Sequence, residues 1–480
     1  MDKMRVTVEN LGAVKKGTFE LKPLTVFVGP NNSGKTWTAY TIGSLFSIGA
    51  YNNFMDYYSE NQPEEYSFID NIVKQILDEG HSKINITEIF EKYYKYYLKD
   101  LIRLIPSNLP EVLMSSRLNF DTLNINFEIE ERFENSLDII KSWKLENNIS
   151  VDKNGNAILS CHKEKGDFDL FFITETEGKI KEIPVALIRR FIALQVFQLI
   201  HRAFYPNVHF LPSERTGLVQ MIGFGALGKV VGDKKREDID EKINKITFKS
   251  SPFSPFGSLF NILWESSDEL VKINRLKLAE KNADIKNYTH LAEILEKNIL
   301  NGSVDVFRKR DGSLHIIYKF KDKEILDLQA ASSFVKDLAP LVFYLRFVAM
   351  RGDLIVIDEP EMNLHPLAQA QCAEFLGMMI NAGLKVIITT HSPYIVEHLS
   401  NMIRAEDKAT AENISEIEDL LYLKDKNSLL SKDKVSVYLF EYGEITKLLN
   451  DSGFINWGTF GNISDELQRI FYNILNMEDV

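Results

Sequence analysis

Val26-Phe27-Val28-Gly29-Pro30-Asn31-Asn32-Ser33-Gly34-Lys35-Thr36 decides how this chain is read. From Gly29 to Thr36 it fits the pattern G-x-x-x-x-G-K-[ST]. Ahead of it, Leu24 to Val28 is an apolar run broken only by Thr25, which predicts a buried strand, and behind it Trp37 to Phe46 predicts a helix. A plain glycine-rich turn is the alternative, but strand, turn and helix together are the setting in which such a loop wraps phosphate. Gly29 and Gly34 let the backbone turn with its N–H groups inward, at the positive end of the following helix. Asn31, Asn32 and Ser33 complete the cradle, Lys35 reaches toward β- and γ-phosphates, and the Thr36 hydroxyl is placed to hold Mg²⁺.

Two later strand ends carry complementary chemistry. Leu354-Ile355-Val356-Ile357 runs into Asp358-Glu359. An acid at the carboxyl end of a buried strand can hold the water shell of Mg²⁺, the role expected of Asp358, and the next acid can orient and deprotonate an attacking water, the role expected of Glu359. A solvent-facing pair of acids is the alternative. Lys385 to Thr389 is a further apolar strand that ends in Thr390-His391-Ser392-Pro393, where His391 can hydrogen-bond a γ-phosphate. Each group alone has a bland reading. The three strand ends in this order are what a two-lobed P-loop ATPase presents.

The 480 residues suffice for several cores, and 45% hydrophobic with 26% charged residues is an ordinary globular composition. A formal net charge of −12 argues against general affinity for nucleic acid or anionic membrane. Local basic runs, Lys229 to Arg236 and Arg308-Lys309-Arg310, leave a limited groove open. Two distant cysteines, Cys161 and Cys372, do not make a zinc site or a disulfide framework. The start leads into alternation and not an apolar segment, and Leu338 to Met350 is too short to span a bilayer. A cytoplasmic location is therefore expected.

Along the chain, Arg5 to Glu9 and Gly17 to Leu21 predict a hairpin. Glu64 to Met114 is helical, punctuated by Pro106 and Pro110; Arg117 to Thr176 has period two and predicts a small, mostly antiparallel unit with a turn at Asn154-Gly155. Ile183 to Phe204 is an apolar helix, followed by a short strand, Val208 to Leu211, that ends in Pro212-Ser213-Glu214-Arg215. Ser250 to Gly257 reads as loop, Leu270 to Leu300 as helix, and Val304 to Phe307 with Leu314 to Phe320 as a hairpin around Asp311-Gly312.

Gly-Pro-Asn-Asn-Ser-Gly-Lys-Thr (29–36), Ile-Asp-Glu-Pro-Glu-Met-Asn-Leu-His-Pro (357–366) and Thr-Thr-His-Ser-Pro (389–393) resemble the ABC-type ATPase heads of the RecF/SMC and OLD-like group. The resemblance covers the first fifty residues or so and the last third. It implies an α/β P-loop NTPase head assembled from both chain ends, interrupted by a central α+β insertion. The expected division is 1–60 and 301–480 for the two parts of the head, 206–225 for a returning strand and loop, and 61–205 and 226–300 for insertions. ATP and Mg²⁺ are the implied ligands and a head-to-head homodimer the implied active form, with Asn363 to Pro366 at its seam.

Such heads also use a signature segment that contacts nucleotide on the other protomer. Its match here is Ala331-Ser332-Ser333-Phe334-Val335-Lys336, with Ser332 and Ser333 as the contacting residues and Phe334 where the family has glycine. For the glutamine that couples Mg²⁺ to the insertion, Gln220 is one possibility, with Glu214 and Arg215 nearby. No Asp-x-Asp follows Glu441-Tyr442-Gly443-Glu444, so a TOPRIM nuclease on the same chain is not expected. What remains resembles the stand-alone ATPase subunits of bacterial anti-phage systems such as Septu, PARIS and retron-associated ones, which work with a separate nuclease or toxin. A RecF-type DNA-repair ATPase and a slowly hydrolysing, nucleotide-gated scaffold stay open as alternatives.

Overall fold

The computed structural model of the protein describes residues 4–129, 134–150, 157–174, 179–223, 254–310, 313–320, 324–456, 466 and 468–474. The opening hairpin forms as its alternation requires. β1 (Met4–Leu11) and β2 (Val14–Leu21) pair antiparallel with Val8 opposite Gly17. β3 (Leu24–Val28) is buried at every position, the pattern of a strand covered on both faces. The helix Lys35–Leu45 follows directly from the glycine-rich turn.

The next segment departs from expectation twice. Between the helices Phe68–Glu79 and Ile86–Val112 lies β4 (His81–Asn85), inside a stretch read as helical throughout. The second helix also runs through Pro106 and Pro110 without breaking. Its buried stripe, Leu98, Leu101, Ile105, Leu109 and Val112, continues across both prolines, and packing of that face outweighs the lost donors. β5 (Asn124–Ile129) is a further correction: it pairs with β1, Ile125 opposite Val8, and so extends the sheet of the opening hairpin. Period two reveals a strand but not its neighbour. The separate small sheet is β4-β8-β7-β6, made with β6 (Leu145–Ser150), β7 (Ala157–Lys163) and β8 (Asp169–Thr174). Asn154-Gly155 and Lys229 to Arg236 lie outside the described residues, as does Asp311-Gly312.

β9 (Val208–Leu211) returns the chain to the large sheet. Pro255 to Gly257, expected as loop, begins the helix Pro255–Ser266. The Ser254 hydroxyl caps it by accepting the Gly257 N–H at 3.1 Å, and proline is well suited to a first helical position. β10 (Gly302–Arg308) and β11 (Leu314–Phe320) form the expected hairpin, to which β12 (Glu324–Asp327) adds a third strand. Then come β13 (Leu354–Asp358), β14 (Lys385–Thr390), β15 (Val435–Glu441) and β16 (Glu444–Lys447).

The large sheet has nine strands in the order β5-β1-β2-β16-β15-β3-β14-β13-β9. Its right half, from β15 to β9, is parallel. β3, from the start of the chain, lies between β14 and β15 from its last third. The fold is therefore α/β with both chain ends in one sheet. Alternate residues of β13 serve two cores: Leu354 and Val356 face the one shared with the helices of residues 48–112, whereas Ile355 and Ile357 face the one closed by the helices Pro366–Asn381 and Pro393–Lys408. Among the described residues no helix is long and apolar enough to cross a membrane.

His201, at the end of the helix Val185–Arg202, ties that helix to the chain just past the helix Lys35–Leu45. Its Nε2 donates to the carbonyls of Phe46 at 3.1 Å and Ser47 at 3.0 Å, leaving Nδ1 to accept from the Tyr97 hydroxyl at 2.9 Å. Burial disfavours the imidazolium and pulls its pKa from 6.5 to about 4. Because the folded value lies below the unfolded one, this contribution to stability is complete above pH 6.5 and is lost as pH falls toward 4. Chemical denaturation at about pH 7.5 and pH 5 should show the wild type losing about 2 kcal/mol from this group, and His201→Gln a correspondingly smaller loss.

Candidate nucleotide site

The parallel register brings the three chemical strand ends to one edge. Asp358 stands beside Thr389, and Thr390 beside Val28, the last residue before the glycine-rich turn. The turn itself is left-handed at three positions: Gly29 at φ 141°, Asn32 at 60° and Gly34 at 97°. Gly34 is also the N-cap of the helix Lys35–Leu45, so the loop runs directly into a helix N-terminus, which favours an anion. At Gly29 an added Cβ would strike the Phe440 carbonyl, so β15 sets the backbone path as firmly as the loop's own sequence does.

Asn31, Asn32, Ser33, Gly34, Lys35, Thr36, Glu359 and His391 line one open cleft of about 530 Å³. Three further residues that the sequence did not single out, Gly12, Ala13 and Trp37, also line it. The signal for them was slight, a glycine at a hairpin turn. Gly12 has φ 57°, and a Cβ there would run into the Trp37 ring.

Asp358 is almost fully buried beneath the cleft. It accepts hydrogen bonds from the Thr36 hydroxyl at 2.9 Å, from the Thr389 hydroxyl and from Tyr40 at 3.4 Å. Burial pushes its carboxyl up, against the pull of the Thr389 and Thr36 hydrogen bonds. Glu359 differs. Its Oε1 lies 3.2 Å from His391 Nε2, and that contact holds its carboxyl below the usual range. Lys35 Nζ donates to the carbonyls of Gly29 at 3.0 Å and Pro30 at 2.8 Å, and burial pulls its pKa to about 8 against the attraction of Glu359 and Asp358.

Glu361 was not anticipated. Its Oε1 accepts the His391 N–H at 2.6 Å and the Thr390 hydroxyl at 2.8 Å, fixing the backbone that carries the histidine. Ser332 and Ser333 are exposed at the start of the helix Ser333–Phe343 and do not line the cleft of their own chain. The Phe334 ring is half-buried against the second core. Neither Gln220 nor Glu214 lines the cleft; Arg215 is buried behind it.

Residues 227–396 match the family model described as an AAA ATPase domain. The match takes in the segment around Ser332, Asp358-Glu359 and His391, and it does not extend to the glycine-rich loop. No curated protein sequence matches the chain. Among solved structures, similarity is found to an SMC head bound to the C-winged helix domain of ScpA, at 12% identity and a TM-score of 0.36, covering 94% of this chain and 98% of that one. An SMC head with an extended coiled coil bound to the C-terminal domain of ScpA, from Pyrococcus furiosus, gives 12% identity and 0.35 over 98% and 100%. The SMC head from Thermotoga maritima gives 9% and 0.30 over 93% and 98%. At such scores the strand order and the geometry of the cleft carry the assignment of the site.

The donor set suits a nucleoside triphosphate with its cation. The Ser33 hydroxyl is buried with no partner among the described residues, within the glycine-rich loop that lines the cleft. Among the described residues no group of three or more His, Cys, Asp or Glu is placed to hold a metal alone. The Thr36 and Asp358 pair offers the small protein share that magnesium takes when phosphate and water supply the rest. Replacing Gly29 by alanine should cost about 2 to 3 kcal/mol, because a Cβ meets the Phe440 carbonyl and a left-handed backbone together. A thermal melt with an unchanged midpoint would contradict the packing described for this turn.

Proposed function

We propose that the chain is a Mg-ATP-binding and ATP-hydrolysing head of the ABC type, whose nucleotide-driven dimerisation controls a partner protein. The observation that carries this is the convergence of the glycine-rich loop, the Thr36–Asp358 hydrogen bond and the Glu359–His391 contact on one cleft. A phosphate chain of an incoming nucleotide is received by the N–H groups of residues 31–36 and by Lys35, which exchanges its loop carbonyls for phosphate oxygens. Thr36 and Asp358 would hold Mg²⁺, which would supply positive charge to offset that of the phosphates. Glu359, kept ionised by His391, is the base that takes a proton from the attacking water. His391 orients that carboxylate and faces the same cleft.

The helix that begins at Ser332–Ser333 presents two exposed serines that do not line their own cleft, as a contact to nucleotide on a second copy requires. The homodimer is therefore read as head-to-head. The partner proposed for it is a separate effector, a nuclease or toxin of an anti-phage system, by resemblance of its motifs to the ATPase subunits of such systems.

Lys35→Ala should abolish saturable ATP binding and turnover, whereas Glu359→Gln should keep binding and lower kcat by about 10² to 10⁴-fold. Phosphate release and equilibrium binding measured on the same samples check both, and a Lys35→Ala protein that hydrolyses ATP at the wild-type rate would overturn the site. Sedimentation of Glu359→Gln should show dimer with Mg-ATP and monomer without it. Adding Ser332→Arg should leave monomer in both conditions.

A further inference from the structure

Arg215 is the largest fully buried side chain that the proposed chemistry does not use, with a relative exposure of 1%. Its guanidinium is spent on backbone carbonyls. Nε donates to Asp337 at 3.0 Å, Nη1 to Pro212 at 3.1 Å and to Asp358 at 2.8 Å, and Nη2 to Glu359 at 3.0 Å. The nearest carboxylate is that of Asp337, itself buried, 4.0 Å from Nε. Asp337 in turn accepts from the Thr216 hydroxyl and from the Asn363 amide at 2.7 Å.

A buried ion pair is a weak source of stability, since its desolvation offsets most of its attraction. The fork of arginine has another use: several donors of fixed relative direction can lock several chain segments together. Three segments meet here: the end of β9, the end of β13, and the helix Ser333–Phe343 through Asp337. Glu359 itself sits at φ 49° and Asn363 at φ 60°, left-handed conformations that a non-glycine residue holds only when its surroundings impose them. The Glu359 N–H is taken by the Thr389 carbonyl at 3.1 Å and its carbonyl by Arg215. Both sides of the strained residue are pinned, and the carboxylate is thereby aimed at His391.

We propose that Arg215 is a positioning residue that couples the helix beginning at Ser332–Ser333 to the backbone of Glu359, so that engagement of that helix by a second copy sets the aim of the Glu359 carboxylate. The coupling rests on the ATPase reading above. It requires no contact between Arg215 and nucleotide.

Arg215→Lys keeps the charge and removes the fork. It should lower kcat by about 100-fold, the cost of misplacing a reacting group by an ångström, with the Kd for Mg-ATP within about threefold of wild type. In the Glu359→Gln background the same substitution should change the residual rate by less than about threefold, because the residue it positions is gone. Asn363→Gly, which tolerates φ 60° but frees Asp337, should lower kcat in the same direction at unchanged Kd. It supplies the test if Arg215→Lys does not fold. A folded Arg215→Lys protein with wild-type kcat would overturn the coupling, as would a loss undiminished in Glu359→Gln, or wild-type turnover in Asn363→Gly if Arg215→Lys is unfolded. Wild-type protein without Lys35-dependent turnover would overturn the ATPase reading on which the coupling stands.

Discussion

Asp358 is the point on which the site depends. A carboxylate removed from water at the end of a central strand must be hydrogen-bonded or it raises the energy of the fold. Its partners come from three places in the chain: Thr36 after β3, Tyr40 one turn further along the same helix, and Thr389 near the end of β14. Satisfying this one group fixes the glycine-rich loop against two strands that follow it by more than 300 residues. The polar network that answers a folding requirement is also the one that sets the Thr36 hydroxyl, which lines the cleft, against a carboxylate beneath it.

The neighbouring acid has the opposite environment. Glu359 lines the cleft, is paired with His391 and is held ionised, whereas Asp358 is buried and pushed toward its neutral form. Adjacent acids in such different settings fit the two tasks proposed for them: Glu359 would accept a proton in the cleft, and Asp358 would hold a cation whose charge keeps its buried carboxyl ionised. The left-handed backbone at Glu359 allows two consecutive residues to face so differently. In an extended strand they would alternate across the sheet, and one would be lost to the wrong side. Arg215 and Thr389 hold that turn in place.

What was legible in the sequence was what is local. The loop 29–36, the acids after β13 and the histidine after β14 are each spelled within a dozen residues, and the sheet brings them together. Position in space was not legible. β5 has a clear alternation, yet nothing near it says that its partner is β1. Pro106 and Pro110 are breakers by local rules and stay helical because a buried stripe continues through them. Pro255 could end a loop or open a helix, and the Ser254 cap decides for the helix. Arg215 and Glu361 acquire their roles from partners 122 to 144 and 29 to 30 residues away, so neither has a signature of its own.

One nucleotide is proposed to be held by the loop of one copy and completed by the Ser332 helix of another. Hydrogen–deuterium exchange of Glu359→Gln with and without Mg-ATP tests it directly, because both surfaces report in one experiment. Residues 29–36 should be protected at any protein concentration, and residues 332–337 only where the protein is concentrated enough to dimerise. Unchanged exchange at 29–36 would contradict the nucleotide site, and protection there with none at 332–337 at high concentration would contradict its completion by a second copy.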